Sequence, residues 1–424
     1  MVAIQKPRGT QDIYGAEMKY WLFIEQQVRT ISELYQFKQI RTPMFEKIEL
    51  FARGVGQTSD IVSKEMYDFY DKGKRHLALK PESTAAVVRS FIENKLYAEG
   101  DYHKYYYLSP HFRYERAQTG RYRQHHQFGV EVFGDKNPYI DAEIILFAVT
   151  VLKQIGLKDF TVKINSLGDT ETRVAYRQAL QDHFRPHLAD LCQDCNQRFD
   201  KNPLRILDCK VDNTHPAMVN APILLDYLTK DAKAYFDNLI ALLAEFDVEY
   251  EIDNRLVRGL DYYTHTVFEI VLDDPTSAKA GSLCGGGRYD GLVAEFEGPE
   301  KSGMGFGMGL ERLIIALKEQ GIILPENKKN RVYVANLDGE QTQKYAASIV
   351  QTLREQGINV ETNYLKKSMK AIFKLVDRYK ATHLLIVGAN ELAQQSFELK
   401  DLNKREQKTY PLTALTDANI IFGR

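Results

Sequence analysis

The sequence has few cysteines, no long apolar run and no excess of either charge. Four cysteines in 424 residues are too few for a disulfide-stapled scaffold, so a reducing cytoplasm is the expected setting. The longest apolar stretch, Ile144–Leu152, is interrupted by Thr150 and falls far short of the ~20 residues of a membrane helix. The opening segment MVAIQKPRGTQDIYG has no apolar core typical of a secretory signal. We therefore expect a cytoplasmic protein without a membrane segment.

Charge and composition describe an ordinary folded protein. Hydrophobic residues make up 44% and charged residues 27% of the chain, which excludes an intrinsically disordered protein. Lysine and arginine number 56 and the acidic residues 57. From Arg331 to the end there are 14 basic and 10 acidic residues, so the C-terminal part is slightly basic. A nucleic-acid partner would have to be bound through local patches, because the net charge offers no general attraction.

The pattern along the chain predicts three parts. The β-rich segments 104–108 and 127–133 flank a polar, arginine-rich loop, which predicts a hairpin with a long tip. Residues 170–247 have helical character and hold three of the cysteines, which favours an inserted helical subdomain. Polar residues near 319–330 indicate a linker. Strands alternate with helices over 331–424, which predicts a separate α/β domain.

The hairpin loop carries a cluster of arginines within FRYERAQTGRYRQHHQFGVEVFG (112–134). Planar guanidinium groups match phosphate and carboxylate oxygens at two points, so the cluster favours a triphosphate clamp. A solvated basic loop is the alternative. Interleaved aromatic residues and the polar side chains Gln127 and Glu131 on the following strand favour a binding site, because a buried carboxylate needs partners. The arginines are Arg113, Arg116, Arg121 and Arg123, and the acid among them is Glu115.

Two later segments have a similar mixture of glycine, charge and phenol. In LVRGLDYYTHTVFE (256–269), Arg258 precedes a glycine and is followed by Tyr262 and Tyr263, although an ordinary turn with core aromatics has the same composition. The run CGGGRYDGL (284–292) includes Tyr289, and GMGFGMGLERL (303–313) turns into a helix that carries Arg312. No Walker A sequence and no dinucleotide-binding βαβ unit accompanies these glycines. We interpret them as positions where backbone approaches a nucleotide closely.

Three cysteines form part of a pattern that can bind zinc. Cys192, Cys195 and Cys209 offer three ligands, but tetrahedral zinc takes four. None of the nearby histidines has a ligand-like spacing, so buried or free thiols are expected and a structural zinc is not. The histidines are His183, His187 and His215. The stretch KKSMK (366–370) is expected on a C-terminal helix as a basic face.

Taken together, the motifs resemble those of the bacterial histidyl-tRNA synthetase family, a group of class II aminoacyl-tRNA synthetases. RTPMFE (41–46) resembles motif 1, which builds the dimer interface in the family. The segments 112–134 and 303–313 resemble motifs 2 and 3, and the segments 256–269 and 284–292 resemble the two histidine-specific signatures. The resemblance extends over nearly the whole chain, and the order and spacing of the motifs agree.

The resemblance implies a fold and a reaction. The implied fold is an α+β catalytic domain (1–325), with an antiparallel sheet flanked by helices and a helical insertion (170–247), followed by an α/β anticodon-binding domain (331–424). The implied enzyme is a cytoplasmic homodimer that activates L-histidine with ATP and Mg²⁺ and transfers it to tRNA(His). The anticodon and the acceptor stem of the tRNA would be contacted by the C-terminal domain and the insertion, respectively. No protein-bound metal is implied.

The resemblance also assigns roles to individual residues. Arg113 and Arg258 would be catalytic and would contact both the α-phosphate and histidine, while Arg312 would hold the γ-phosphate. The expected ATP-binding residues are Arg113, Glu115, Arg121, His125 and Arg312. The expected histidine-binding residues are Glu82, Ser83, Thr84, Arg113, Gln127, Glu131, Arg258, Tyr262, Tyr263 and Tyr289. Two positions depart from the family pattern: Ser83 replaces a usual glycine, and His125 replaces a phenylalanine that stacks on adenine.

Two other functions share this scaffold. A synthetase-like regulatory subunit of an ATP phosphoribosyltransferase tends to lose the signature around Arg258 and the C-terminal domain, and both are present here. A tRNA-binding module with an inactive site is the other alternative. The intact set Arg113, Arg258 and Arg312 favours an enzyme over both.

Overall fold

The protein is described by a computed structural model that covers residues 3–56, 59, 61–273, 281–325, 330–416 and 421–422. The chain forms two compact units, Met1–Leu324 and Pro325–Arg424. Part of the predicted linker, 326–329, lies outside the described residues. Within the described ranges, no helix combines the length and apolarity that a membrane crossing requires.

The first unit is built on an eight-stranded sheet with the order β1-β5-β6-β11-β10-β9-β7-β8. All neighbours are antiparallel except the two edge pairs, β1–β5 and β7–β8. A three-stranded antiparallel sheet, β2-β4-β3, accompanies it. This arrangement confirms the expected class II fold. The strands are β1 Lys38–Gln39, β2 Phe45–Lys47, β3 Asp68–Tyr70, β4 His76–Leu79, β5 His103–Phe112, β6 Gln124–Gly134, β7 Phe160–Ser166, β8 Tyr250–Ile252, β9 Thr264–Leu272, β10 Ser282–Tyr289 and β11 Ser302–Gly309.

Helices cover the large sheet through a continuous apolar core. In α1, a buried stripe at helical spacing explains both the helix and its orientation: Trp21, Ile24, Val28 and Ile31 all face the core. The last helix of the predicted insertion, α8, buries its apolar face in the same core as α4. The insertion boundaries 170–247 therefore stay a prediction. The helices are α1 Met18–Leu34, α2 Ile48–Gly54, α3 Thr84–Glu93, α4 Pro138–Gln154, α5 Thr170–Phe184, α6 Gln193–Lys201, α7 Pro216–Val219, α8 Lys230–Glu245, α9 Leu292–Glu295 and α10 Leu310–Glu319.

The glycine-rich run before α10 is itself a central strand, β11, which the sequence did not lead us to predict. Glycine weakens strands, so this placement needs a local reason. The reason lies in the neighbouring strands. Gly303 pairs with Tyr289 and Gly305 pairs with Glu131, and a Cβ at either glycine would collide with the side chain opposite. The glycines therefore make room for site residues on the adjacent strands.

The second unit contains a five-stranded sheet with the order β13-β12-β14-β15-β16. The first three strands are parallel and the last two are added antiparallel. Helix α12 begins only at Met369, because Ser368 is its N-cap and accepts a hydrogen bond from the Ala371 amide. The basic stretch 366–370 therefore lies mostly before the helix, which corrects the sequence expectation. The elements are β12 Arg331–Asn336, α11 Glu340–Glu355, β13 Asn359–Thr362, α12 Met369–Tyr379, β14 His383–Val387, α13 Ala389–Ala393, β15 Ser396–Asp401 and β16 Glu406–Pro411.

Candidate active site

A cavity of about 660 Å³ lies against the central strands of the large sheet. Its walls come from strands β6, β9, β10 and β11, from the hairpin tip between β5 and β6, and from the segment before β9. Two predicted site residues, Ser83 and Glu131, are not among its lining residues. The predicted residues that line it are Glu82, Thr84, Arg113, Glu115, Arg121, His125, Gln127, Arg258, Tyr262, Tyr263, Tyr289 and Arg312.

Three arginines at the hairpin side of the cavity are fixed by the backbone and by one carboxylate. The Arg113 Nε donates to the Pro81 carbonyl at 2.9 Å, and Arg121 lies 3.6 Å from a Glu115 oxygen. Arg312 donates to the carbonyls of Ser282 (2.6 Å) and Gly120 (3.3 Å). Burial, followed by the like charge of Arg121, lowers the pKa of Arg312. The cavity thus holds cations close enough to repel one another, which favours a polyanionic ligand.

Arg258 enters the same cavity from the segment before β9. Its Nη1 lies 3.1 Å from a Glu269 carboxylate oxygen. Its Nε is buried and has no hydrogen-bond partner within the described ranges. Gly285 provides the space for the guanidinium, because a Cβ there would overlap it.

Glu131 lies on strand β6, where it is almost fully buried beside Thr84, Tyr107 and Tyr289, three residues that line the cavity. One carboxylate oxygen accepts hydrogen bonds from Thr84 (2.7 Å) and, more weakly, from Tyr107 (3.4 Å), and the other accepts one from Tyr289. Burial raises the pKa of Glu131 to about 8, although the bonds from Tyr289 and Thr84 oppose the shift. The sequence suggested an isolated carboxylate, but the structure surrounds it with hydroxyl donors.

Glu82 and Ser83 precede helix α3 but have different surroundings. The Glu82 carboxylate accepts hydrogen bonds from the first amides of α3, at Thr84 (2.6 Å) and Ala85 (3.0 Å). Burial nevertheless raises the pKa of Glu82. The Ser83 hydroxyl lies 2.7 Å from the Nε2 of the buried His111. Ser83 therefore contacts the core residue His111 and is not among the residues that line the cavity.

His125 lies on β6 at the arginine side of the cavity. Burial, with a further contribution from Arg113, lowers the pKa of His125 to about 3. Its ring therefore stays neutral near pH 7 and can offer an uncharged face to an adenine base. The histidine departure from the family pattern thus preserves a flat, neutral ring at this position.

Several lining residues were not singled out from the sequence. Glu269 is the last residue of the segment 256–269, but the sequence gives its carboxylate no role. Only the structure shows that it pairs with Arg258. Tyr107 is one of three consecutive tyrosines, and the sequence alone does not show which of them faces the cavity. Asp208 and Lys210 come from the predicted helical insertion and gave no signal at all, because only the fold brings them to the wall.

The second unit has its own surface depression of about 480 Å³ beside β13 and α12. Tyr364 and Leu365 are 74% and 72% exposed there, so apolar and aromatic side chains face solvent beside the cations Lys367 and Arg378. Exposed rings next to positive charge are typical of single-stranded nucleic-acid binding surfaces.

Comparison with known proteins places these features in a family. The histidyl-tRNA synthetase family model matches residues 9–313, and an anticodon binding domain model matches 326–418. Histidine–tRNA ligase 1 of Shouchella clausii is 47% identical over 98% of this chain and 97% of its own length. Histidine–tRNA ligase 2 of Bacillus cereus strain ATCC 14579 is 49% identical over 97% of both chains. The crystal structure of apo S. aureus histidyl-tRNA synthetase superposes with a TM-score of 0.83 at 39% identity, covering 98% of this chain and 99% of that one. This chain belongs to the histidyl-tRNA synthetase family.

Proposed function

We propose that this protein is a histidine–tRNA ligase that works in two steps at the cavity of the first unit. In the first step, the histidine carboxylate attacks the α-phosphorus of ATP, pyrophosphate leaves and histidyl-adenylate forms. In the second step, a hydroxyl of the 3′-terminal ribose of tRNA(His) attacks the adenylate carbonyl and AMP leaves. The observation that carries this proposal is the convergence of four guanidinium groups with buried carboxyl and phenol groups in one cavity.

The arginines supply what the first step needs. Negative charge accumulates on the pentavalent phosphorus and on the departing pyrophosphate, and fixed cations stabilise it without reorganising. Arg113 and Arg258 approach the reacting carboxylate and α-phosphate from opposite sides, while Arg121 and Arg312 hold the outer phosphates. The donors of Arg113 and Arg312 are held by backbone carbonyls, which supports a preorganised site.

Mg²⁺ would enter together with ATP. Five carboxylates line the cavity, and two of them, Glu115 and Glu269, lie beside the arginines; hard oxygen donors suit this ion. Glu115 and Glu269 are both paired with arginines, so they also fit a role in orienting those arginines. Mg²⁺ would neutralise part of the phosphate charge, and no ligand set made only of protein groups is needed.

Histidine selection would occur at the phenol end of the cavity. Glu82, Thr84 and Gln127 would hold the α-amino group, and Tyr263 and Glu131 would recognise the two imidazole nitrogens, with Tyr262 and Tyr289 beside them. Once ionised, a carboxylate has about four lone-pair sites, so Glu131 would then have capacity beyond its three hydroxyl donors. Sites that hydrogen-bond a substrate edge can reject apolar analogues by ~10⁴–10⁵.

Dimerisation through the motif 1 region belongs to the same proposal. Around the three-stranded sheet, Met44, Phe45, Phe69 and Tyr70 are exposed. An apolar surface of this kind is typical of a protein contact. We expect a solution mass of twice one chain in sedimentation analysis, and a monomer at micromolar concentration would contradict this part of the proposal.

Histidine-dependent exchange of labelled pyrophosphate into ATP tests the first step directly. We expect exchange only when L-histidine is present, followed by charging of tRNA(His) in the same preparation. A folded protein without exchange would instead favour the regulatory subunit or the inactive tRNA-binding module.

Replacement of Glu131 by glutamine tests the recognition of histidine. We expect the Glu131→Gln variant to raise the KM for histidine far more than the KM for ATP. The substitution replaces one carboxylate oxygen, which accepts a hydrogen bond, with an NH₂ group, which can only donate one to the imidazole. Steady-state exchange at varied histidine and varied ATP measures both constants. If the two constants rose equally, Glu131 would belong to the scaffold that supports Thr84 and Tyr289.

A further inference from the structure

A cluster of four potential ligands lies outside the cavity, around the start of α6. The Sγ atoms of Cys192, Cys195 and Cys209 and a carboxylate oxygen of Asp212 all lie within 4.8 Å of one another. Cys195 and Cys209 are buried, and the other two residues are partly buried. The sequence analysis found the three cysteines and sought a fourth ligand among histidines. The structure provides Asp212 instead.

The distances in the cluster fit a tetrahedral metal ion that binds sulfur and oxygen. With Zn–S bonds of about 2.3 Å, two thiolates on tetrahedral zinc lie ~3.8 Å apart, and a thiolate and a carboxylate oxygen lie ~3.5 Å apart. The Sγ atoms of Cys192 and Cys209 are 3.7 Å apart, and the Cys209 Sγ is 3.6 Å from the Asp212 Oδ2. A disulfide would need the two sulfurs at about 2.0 Å.

We propose that Cys192, Cys195, Cys209 and Asp212 bind one Zn²⁺ ion as a structural site. Three sulfur ligands exclude the hard cations Mg²⁺ and Ca²⁺, and a closed set of four protein ligands is typical of structural zinc. On binding, each of the three thiols releases a proton to solvent, and the thiolates and the carboxylate donate to the metal.

Backbone groups around the cluster support a site with negative charge. Three thiolates, one carboxylate and Zn²⁺ carry a net charge of −2, which needs nearby donors. The Asp212 amide donates to the Cys209 Sγ at 3.4 Å, and the Cys192 amide donates to the Asp212 Oδ2 at 3.0 Å. Cys192 is also the N-cap of α6, where the helix dipole stabilises anions.

The metal would fix a segment that reaches the active site. Cys209 stands between Asp208 and Lys210, which both line the catalytic cavity. Asn202 lies between Cys195 and Cys209 in the sequence. Its side chain donates a hydrogen bond to the carboxylate of Asp261 at 2.9 Å, and Asp261 directly precedes Tyr262 and Tyr263. Zinc would therefore act as a positioning group that holds this wall, with no part in the chemistry.

Metal analysis of the full-length protein, purified under reducing conditions without chelator, tests the proposal. We expect about one zinc per chain, as one set of four ligands requires. Replacing a residue that only supports a metal ligand commonly lowers the metal affinity 10–100-fold. Cys195→Ser and Asp212→Ala remove ligands themselves, so their zinc affinity should fall by at least about that factor. Cys284→Ser, which removes a buried cysteine outside the cluster, is the matched control and should retain zinc. Asp212→Cys should also retain it, since a fourth thiolate completes the site.

Cobalt substitution gives a readout that does not depend on enzymatic activity, and in the wild-type protein it does not depend on any variant folding. Cobalt in the wild-type protein should show a thiolate-to-metal charge-transfer band and strong tetrahedral d–d bands, and the charge-transfer band should grow in Asp212→Cys. The proposal is overturned if the wild-type protein holds no zinc and shows no such bands. It is overturned equally by a Cys192–Cys209 disulfide in peptide maps of the reduced preparation, or by equal zinc loss in Cys284→Ser.

Discussion

Replacement of Arg258 by histidine is expected to lower histidine-dependent pyrophosphate exchange by ~10²–10³, the usual cost of losing one preorganised donor to transition-state charge. The guanidinium occupies space left by Gly285, is paired with Glu269 and keeps a buried Nε without a partner in the described residues. The imidazole side chain is shorter, so it would reach neither the α-phosphate of ATP nor the carboxylate of the substrate histidine. Single-turnover adenylate formation should fall as much as steady-state exchange.

Arg255→His is the matched control for this experiment. Arg255 lies three residues away and is exposed, so the same substitution there should leave exchange near the wild-type rate. Thermal unfolding of both variants separates a catalytic loss from a folding defect. Near-normal exchange by folded Arg258→His protein would refute the catalytic role.

Ending the chain at Lys328 is expected to retain pyrophosphate exchange and to remove most tRNA charging. Position 328 lies outside the described residues, just after the boundary between the two compact units. All residues that line the cavity belong to the first unit, so we expect adenylation to proceed without the second. If two anticodon bases stack on the exposed surface near Tyr364 at ~1–3 kcal/mol each, charging efficiency should fall at least ~30-fold.

A full-length variant distinguishes anticodon binding from structural support. Lys367→Ala together with Tyr364→Ala should weaken charging mainly through the KM for tRNA(His), with exchange unchanged and a smaller salt dependence. Full charging by a folded, dimeric truncated protein would rule out an anticodon role. Loss of both activities on truncation would show that the second unit supports the catalytic dimer.

The sequence predicted most of the architecture because periodicity and turn chemistry act locally. The β-rich segments around the arginine loop, predicted at 104–108 and 127–133, lie inside the longer strands β5 and β6. Strand β11 was missed because glycine has a low strand propensity, and only the side chains across from it explain why glycine is needed there. Likewise, Ser368 as an N-cap delayed the start of α12 beyond what the lysine pattern suggested.

The site was predictable to the extent that its residues lie in linked motifs. The family resemblance identified residues that the fold gathers around one cavity, but it could not separate those on the wall from those behind it. Ser83 is turned towards His111, and Glu131 is enclosed by three hydroxyl groups; both arrangements depend on tertiary packing. Asp212 was overlooked for the same reason, since an aspartate has no distinctive spacing as a metal ligand.

The buried glycines of β10 and β11 limit how the gene can change. Every single-base change in a glycine codon that alters the amino acid adds a side chain. At Gly285, Gly303 or Gly305 the new Cβ would overlap Arg258, Tyr289 or Glu131. Any amino-acid change at these codons would therefore disturb the groups proposed to activate histidine, so we expect these three positions to tolerate less variation than their strand neighbours.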